Sequence, residues 1–88
     1  MIEKTVKIAN KAGLHTRPAA TLVKLAAKYK SDFFIYRDGM SINGKSIIGV
    51  MTLAAEIGSE LKLTFDGPDE QQACDEISAY FERGFDEL

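Results

Sequence analysis

The chain has 88 residues and a net charge of −2, and its hydrophobic share of 45% and charged share of 27% are typical of one small globular domain. A disordered or fibrous protein is not indicated, and the acidic pI near 5.3 argues against a nucleic-acid binder, which needs a basic face. We find neither an apolar run of the roughly 20 residues that span a membrane nor a secretory leader, and the single cysteine cannot form an intramolecular disulfide. We therefore expect a cytoplasmic protein that is not inserted in a membrane.

The first part of the chain predicts a strand followed by a helix. Apolar residues with the two-residue period of a half-buried strand are Ile2, Val6 and Ile8. From Thr16 or Arg17 to about Tyr29 the period becomes helical, and the apolar stripe consists of Leu22, Leu25, Ala26 and Tyr29. Lys24 and Lys28 fall on the outer side of this helix.

The middle of the chain predicts a β-hairpin and a short helix. Residues 33–36 are aromatic and β-branched, Asp38-Gly39 is a turn sequence, and residues 40–42 return as a short strand. Ser46 can then act as the N-cap of a helix that runs to roughly Leu53, because its hydroxyl can accept a backbone N–H of the first turn.

The last part predicts a fourth strand and a third helix. Leu61, Leu63 and Phe65 alternate with polar residues, and Gly67-Pro68 ends that strand. A helix then starts near Asp69, with apolar positions at Ala73, Ile77, Tyr80 and Phe81. The order βαββαβα predicts one α+β domain over residues 1–88, an antiparallel sheet covered by helices on one face.

His15, the only histidine, lies where a loop turns into the first helix, in Gly13-Leu14-His15-Thr16-Arg17-Pro18-Ala19-Ala20. A helix start offers unpaired N–H groups and the positive end of the peptide dipoles, and Arg17 adds donors suited to phosphate. Pro18 is tolerated in a first helical turn. These features favour a phosphorylatable imidazole, although an ordinary packing histidine remains an alternative. A metal site is not expected, since Cys74 lies far away and no ligand cluster accompanies either residue.

The stretch Ile47-Ile48-Gly49-Val50-Met51 is more apolar than one buried helical stripe requires. One interpretation places all of these residues in the core. The other exposes Ile47, Ile48 or Met51 as a docking patch beside the histidine loop, because exposed apolar clusters usually mark partner sites. The pattern leaves both open.

Two segments resemble the signatures of one known family. Gly13-Leu14-His15-Thr16-Arg17-Pro18-Ala19 and Gly44-Lys45-Ser46-Ile47-Ile48-Gly49-Val50-Met51 are similar to those of the HPr family, the histidine-containing phosphocarriers of the bacterial phosphoenolpyruvate-dependent sugar phosphotransferase system. The resemblance extends to chain length and element order. It implies an HPr-like open-faced sandwich, in which four antiparallel strands in the order 1-4-2-3 are covered on one face by three helices.

By this resemblance the chain is a carrier and not an enzyme, and it needs no cofactor. His15 would accept a phosphoryl group on Nδ1 from phosphorylated Enzyme I and pass it to a IIA domain of a sugar transporter, with Arg17 stabilising the phosphate. The implied partner-binding residues are Thr16, Pro18, Ala20, Lys24, Ile47, Ile48 and Met51. We expect a monomer whose acidic partners are steered by Arg17, Lys24 and Lys45.

Ser46 has two interpretations. As an N-cap it needs no further role. Its surroundings also resemble the target of HPr kinase/phosphorylase, which implies regulatory phosphorylation. A phosphate would add about −1.5 to −2 charges beside the apolar stretch, and it would repel acidic surfaces of Enzyme I and attract a basic partner such as a transcriptional regulator.

Relatives within the family and one unrelated class remain as alternatives. Residues 81–88 are similar to the tail of NPr, the nitrogen-system paralogue, whose partners are a nitrogen-type Enzyme I and a regulatory IIA protein. His15 argues against the Crh type, which lacks the active histidine, but a purely regulatory carrier is not excluded. Phe33, Phe34 and Tyr36 resemble an RNA-stacking platform, although no basic groove or RNA-binding motif accompanies them.

Overall fold

A computed structural model describes residues 1–87 of the chain. Four strands and three α-helices follow one another in the predicted order, and a short 3₁₀ turn follows the last helix. The bounds are β1 Ile2–Lys7, α1 Thr16–Ala27, β2 Asp32–Arg37, β3 Met40–Asn43, α2 Ile47–Thr52, β4 Glu60–Asp66, α3 Glu70–Glu82 and the 3₁₀ turn Gly84–Asp86. Within residues 1–87 no helix is both long enough and apolar enough to cross a membrane.

The four strands form one antiparallel sheet in the order β1-β4-β2-β3, which confirms the order implied by the family resemblance. Strand β4 lies between β1 and β2, so that Val6 pairs with Leu61 and Phe33 pairs with Phe65. Paired residues share a face of an antiparallel sheet, and all four of these side chains are buried. This face is the one that the helices cover, as the sequence predicts.

Aromatic contacts connect the core to the segment that follows α3. The rings of Phe33 and Phe65 stack with centroids 5.0 Å apart. Phe85, in the 3₁₀ turn, meets Phe81 of α3 edge to face at 5.1 Å, and both side chains are buried. The end of the described chain is therefore held against the domain, and this contact fixes where Glu87 lies.

Helix α1 ends at Ala27, earlier than the predicted end near Tyr29. The N–H groups of Lys28 and Tyr29 bond to the carbonyl oxygens three residues before them, which tightens the last turn. Lys45 then donates from Nζ to the carbonyl oxygen of Tyr29 at 2.7 Å. A tertiary contact thus closes this helix, and the helical spacing of the sequence does not contain it.

The β2–β3 hairpin turns at Asp38-Gly39, as predicted, with positive φ values of 48° and 79°. Two successive positive φ values belong to a type I′ turn, which matches the twist of paired strands. In β2 the buried Phe33 faces the helices, whereas Phe34 and Tyr36 lie on the opposite face. The three aromatic residues do not share a surface, so the suggested RNA-stacking platform is wrong as drawn.

Candidate functional site

The loop before α1 is fixed to the segment that follows α2. The N–H of Leu14 donates to the carbonyl oxygen of Ala55 at 2.9 Å, and Gly13 lies beside the same carbonyl with a φ of +71°. A β-carbon at position 13 would stand 2.4 Å from that oxygen, well inside contact distance. Both the conformation and the space therefore require glycine, and this close approach sets the position of His15.

His15 is the N-cap residue of α1. Its backbone is extended, with φ −87° and ψ −171°, and its carbonyl oxygen accepts the N–H of Ala19 at 3.0 Å. The His15 side chain does not cap the helix, and no other side chain within residues 1–87 bonds to the N–H groups of Thr16 or Arg17. These first-turn N–H groups have no intrahelical partner. They favour an anion beside His15, together with the positive end of the helix dipole.

The imidazole of His15 is held by Glu87, which follows the 3₁₀ turn. Nε2 lies 3.0 Å from Oε1 and 2.9 Å from Oε2 of Glu87. The buried Asn10 supports this pair, because its Nδ2 donates to Oε1 of Glu87 at 2.8 Å and to the carbonyl oxygen of Gly13 at 2.9 Å. The hydrogen bond from His15, with smaller contributions from Asn10 and the charge of Arg17, lowers the pKa of Glu87 below its ordinary value despite partial burial.

The Glu87 contact distinguishes the two nitrogens of the His15 ring. An ionised carboxylate only accepts hydrogen bonds, so Nε2 carries the ring proton. In a neutral imidazole the lone pair then belongs to Nδ1, which has no hydrogen-bond partner in the part of the chain that is described. The His15 side chain is 35% exposed. The ring therefore presents Nδ1 as its nucleophilic atom.

A shallow depression of about 270 Å³ adjoins the histidine. Its walls come from the loop before α1, through Leu14 and Thr16, and from α2 and the segment after it, through Met51 and Ala54. The depression is open to solvent at the surface that carries His15. A reacting group on a partner can therefore approach the ring from this side.

Helix α1 exposes its predicted partner-facing residues unequally. Thr16, Arg17 and Lys24 are exposed, and Ala20 is half-buried. Pro18 is fully buried, so the prediction that it contacts a partner is wrong, and its ring instead fixes the backbone of the first helical turn. Arg17 makes no hydrogen bond or ion pair with any residue from 1 to 87, which leaves its guanidinium available to a phosphate.

The apolar stretch of α2 divides between core and surface. Val50 is completely buried, whereas Ile47, Ile48 and Met51 are 37%, 75% and 44% exposed. The alternative in which the whole stretch is core is therefore wrong. We call Ile47, Ile48 and Met51 the α2 patch. Because Met51 also borders the depression beside His15, the patch is continuous with the site.

Ser46 is the N-cap of α2, as predicted, and its Oγ accepts the N–H of Gly49 at 3.1 Å. The preceding residue, Lys45, is half-buried and donates to the carbonyl oxygen of Tyr29. The charge of Lys45 is thus committed to the C-terminal end of α1, where a cation is favourable. Its predicted steering of an acidic partner is not supported by this position.

Sequence reasoning missed Glu87 and Asn10. Glu87 is separated from His15 by 72 positions, so no spacing rule links the two residues. Asn10 lies in the loop before α1, but nothing in its neighbours marks it as buried. Residues 81–88 drew notice only as a tail similar to that of NPr, and Leu88 lies outside the described residues.

Comparisons with known proteins agree with the geometry. A family model for the PTS HPr component phosphorylation site matches residues 2–83. The chain is 46% identical to phosphocarrier protein HPr of Treponema pallidum over 87 residues, which cover 99% of each chain. A crystal structure of HPr-C-His from Thermoanaerobacter tengcongensis superposes with a TM-score of 0.95 at 40% identity, covering 100% of this chain and 99% of the other.

One further relative bears on the expected oligomeric state. Crh of Bacillus subtilis, 40% identical with a TM-score of 0.77, covers 96% of this chain and 97% of its own, and its crystal structure is a domain-swapped dimer. A relative with this fold that dimerises conflicts with the expectation of a monomer, which the sequence alone does not justify.

Proposed function

The chain belongs to the HPr family, and from that membership we propose that His15 accepts a phosphoryl group from phosphorylated Enzyme I and passes it to IIA domains of sugar transporters. Members of this family are phosphocarriers rather than enzymes. The proposed place of action is the cytoplasm, where both partners would meet the carrier. The observation that carries the proposal is a histidine whose Nδ1 is unpaired at an uncapped helix start.

The proposed transfer is a displacement at phosphorus. The Nδ1 lone pair of His15 forms the new N–P bond, while the bond from phosphorus to the histidine nitrogen of Enzyme I breaks and its electron pair returns to that ring. The first-turn N–H groups of α1 and the guanidinium of Arg17 neutralise the phosphoryl oxygens. Because these donors are few and exposed, they steady the group without preventing its transfer to a IIA domain.

The proposed docking surface consists of the α2 patch and the exposed residues of α1. Apolar contacts of Ile47, Ile48 and Met51 would supply affinity, since large exposed apolar clusters are characteristic of interaction sites. Arg17 and Lys24 would attract acidic partners and accelerate association. The surface borders the depression at His15, so docking brings the reacting groups together.

Incubation with Enzyme I and labelled phosphoenolpyruvate tests the carrier function. We expect the wild type to take up label that is lost in acid and retained in base, as phosphohistidine requires, whereas phosphoserine is stable to acid. His15→Ala should take up none while keeping its circular dichroism spectrum. Label retained by a folded His15→Ala variant overturns the proposal.

We propose regulatory phosphorylation of Ser46 as a second function. The hydroxyl of Ser46 immediately precedes the exposed Ile47 and Ile48, so a phosphate there would add about two negative charges at the edge of the docking surface. It would weaken binding to acidic Enzyme I and favour a basic partner such as a transcriptional regulator. HPr kinase/phosphorylase with ATP should label the wild type and Ser41→Ala, an exposed serine on β3, but not Ser46→Ala. Equal labelling of both variants contradicts this assignment.

A nitrogen-type or purely regulatory carrier is the alternative to sugar transport. It is favoured by the similarity of residues 81–88 to the tail of NPr, whereas the segment 45–51 favours the sugar branch. Phosphoryl transfer measured in parallel with sugar-type and nitrogen-type Enzyme I and IIA proteins separates the two. Faster transfer through the sugar-type pair is expected, and faster transfer through the nitrogen-type pair reverses the assignment.

A further inference from the structure

We propose that Glu87 is a positioning residue for phosphoryl transfer, which fixes the His15 ring with Nδ1 as its nucleophile and stabilises the phosphorylated ring. The inference rests on the proposed function of His15. It concerns a contact between distant parts of the chain: the loop before α1 and the segment after the 3₁₀ turn.

The geometry of the pair restricts the ring to one tautomer. Both oxygens of Glu87 lie within 3.0 Å of Nε2, so a lone pair on Nε2 would face two electron-rich oxygens. Asn10 holds the carboxylate in this position, and its amide orientation is defined by its partners. Exchanging the nitrogen and oxygen of that amide would place an oxygen against both Oε1 of Glu87 and the carbonyl oxygen of Gly13. The contact is also shielded, since the Glu87 side chain is 18% exposed.

The same contact acts on the product of the transfer. When the Nδ1 lone pair forms the N–P bond and the donor's N–P bond breaks, the His15 ring keeps its proton on Nε2 and becomes positively charged. The hydrogen bond to Glu87 then becomes charge-assisted at both ends and strengthens. When a IIA domain takes the phosphoryl group, this charge disappears. Glu87 therefore favours the phosphorylated carrier and sets how readily the group is released.

The negative phosphoryl group opposes this effect less than the contact favours it. Its atoms are attached to the far nitrogen of the ring, whereas Glu87 lies 2.9 Å from the proton-bearing nitrogen, and Coulomb energies fall with distance. The exposed Arg17 and the first-turn N–H groups also offset the phosphoryl charge.

The tautomer can be measured without any phosphoryl donor. Long-range ¹H–¹⁵N correlation spectra of ¹⁵N-labelled protein identify which His15 nitrogen holds the proton. We expect only the Nε2–H form of the neutral ring in the wild type, and ¹⁵N shifts that move toward a mixture of both tautomers in Glu87→Ala. The matched control is Glu82→Ala, which removes an exposed carboxylate from the same end of α3 and should leave the spectrum unchanged. An unchanged tautomer in Glu87→Ala overturns the positioning role.

The effect on the phosphorylated state is measured with Glu87→Gln, which keeps the size and an acceptor oxygen but removes the charge. We expect the equilibrium constant for transfer from Enzyme I to fall about three- to tenfold, the range of a partly exposed charge-assisted bond, with Glu82→Gln unchanged. Equal constants in Glu87→Gln and the wild type overturn the stabilising role. If the wild type takes no phosphoryl group on His15, the proposed function fails instead, and the tautomer spectra still decide the role of Glu87.

Discussion

His15 owes its setting to residues that act at single atoms. Gly13 lets the loop pass within contact distance of Ala55, and Asn10 and Glu87 fix the ring. The sequence predicts the histidine and its helix start, because both depend on adjacent residues. It does not predict the orientation of the ring, because that depends on a carboxylate 72 positions away.

Gly13→Ala should destabilise the domain more than Gly39→Ala, although both positions have positive φ. At Gly39 nothing lies within 4 Å of an added β-carbon, so the substitution should cost about 1 kcal/mol of backbone strain. At Gly13 the clash with the Ala55 carbonyl should add roughly 1 to 3 kcal/mol to the loss. Equilibrium unfolding in urea gives both free energies, and equal values for the two variants would contradict the close approach.

Asp69 should make stability depend on acidity. It accepts hydrogen bonds from the Ser31 hydroxyl at 2.6 Å and from the N–H groups of Lys30 and Ser31, each at 2.9 Å. These bonds, the hydroxyl first, lower the pKa of Asp69 from its ordinary value of 3.8 to about 2. Since the folded pKa is depressed, the stabilisation is full above about pH 4 and is lost as the pH falls through about 2.

Urea midpoints across this pH range check the Asp69 prediction. Asp69→Asn should be less stable than the wild type at neutral pH, and the difference should shrink as the medium becomes acidic. Asp32→Asn, at an exposed position on β2, is the control and should show little difference at any pH. A deficit in Asp69→Asn that is constant from neutral to acid would speak against the assigned hydrogen bonds.

At the scale of elements, periodicity predicts the strands and helices because each buries one face. Leu61, Leu63 and Phe65 alternate in β4 and are all buried, as their spacing indicates. The end of α1 is less predictable, because it depends on the Lys45 ammonium arriving from another element. The division of α2 into a buried Val50 and an exposed patch is also a tertiary outcome, since a short apolar helix has no polar face to mark its exposed side.

Met51→Asp should weaken the complex with Enzyme I itself. A carboxylate in the α2 patch would be desolvated on docking without a partner, so the dissociation rate should rise by about tenfold or more. Met40→Asp is a close control, because Met40 on β3 is 43% exposed and Met51 is 44% exposed. Surface plasmon resonance gives the rates, and equal dissociation of the two variants would exclude the α2 patch as the interface.

Lys24→Glu should act on association instead. Lys24 is exposed on α1, and reversing its charge should slow approach of an acidic partner by a fewfold at low salt, with less effect at high salt. Lys30→Glu, an exposed lysine after the end of α1, should have a smaller effect. Stopped-flow association rates at two ionic strengths provide the check, and the idea fails if neither rate nor salt dependence changes in Lys24→Glu.

At the scale of the whole molecule, the fold brings three separate segments to one point. The loop before α1 carries His15, the segment after α2 supports that loop through Ala55, and the segment after α3 supplies Glu87. Alternation and helical spacing predict the two-layer α+β class, and the strand order followed from the resemblance of two motifs rather than from any pattern of residues. Assembly state follows from neither, as the dimer of the relative Crh illustrates.

The most direct test of this account is the chemical position of the phosphoryl group after reaction with Enzyme I and phosphoenolpyruvate. Combined ³¹P and long-range ¹H–¹⁵N NMR on the ¹⁵N-labelled protein resolves the atom that is modified. We predict a single phosphoramidate on Nδ1 of His15, with the proton retained on Nε2. A phosphoryl group on Nε2, on another residue, or absent altogether would contradict the account.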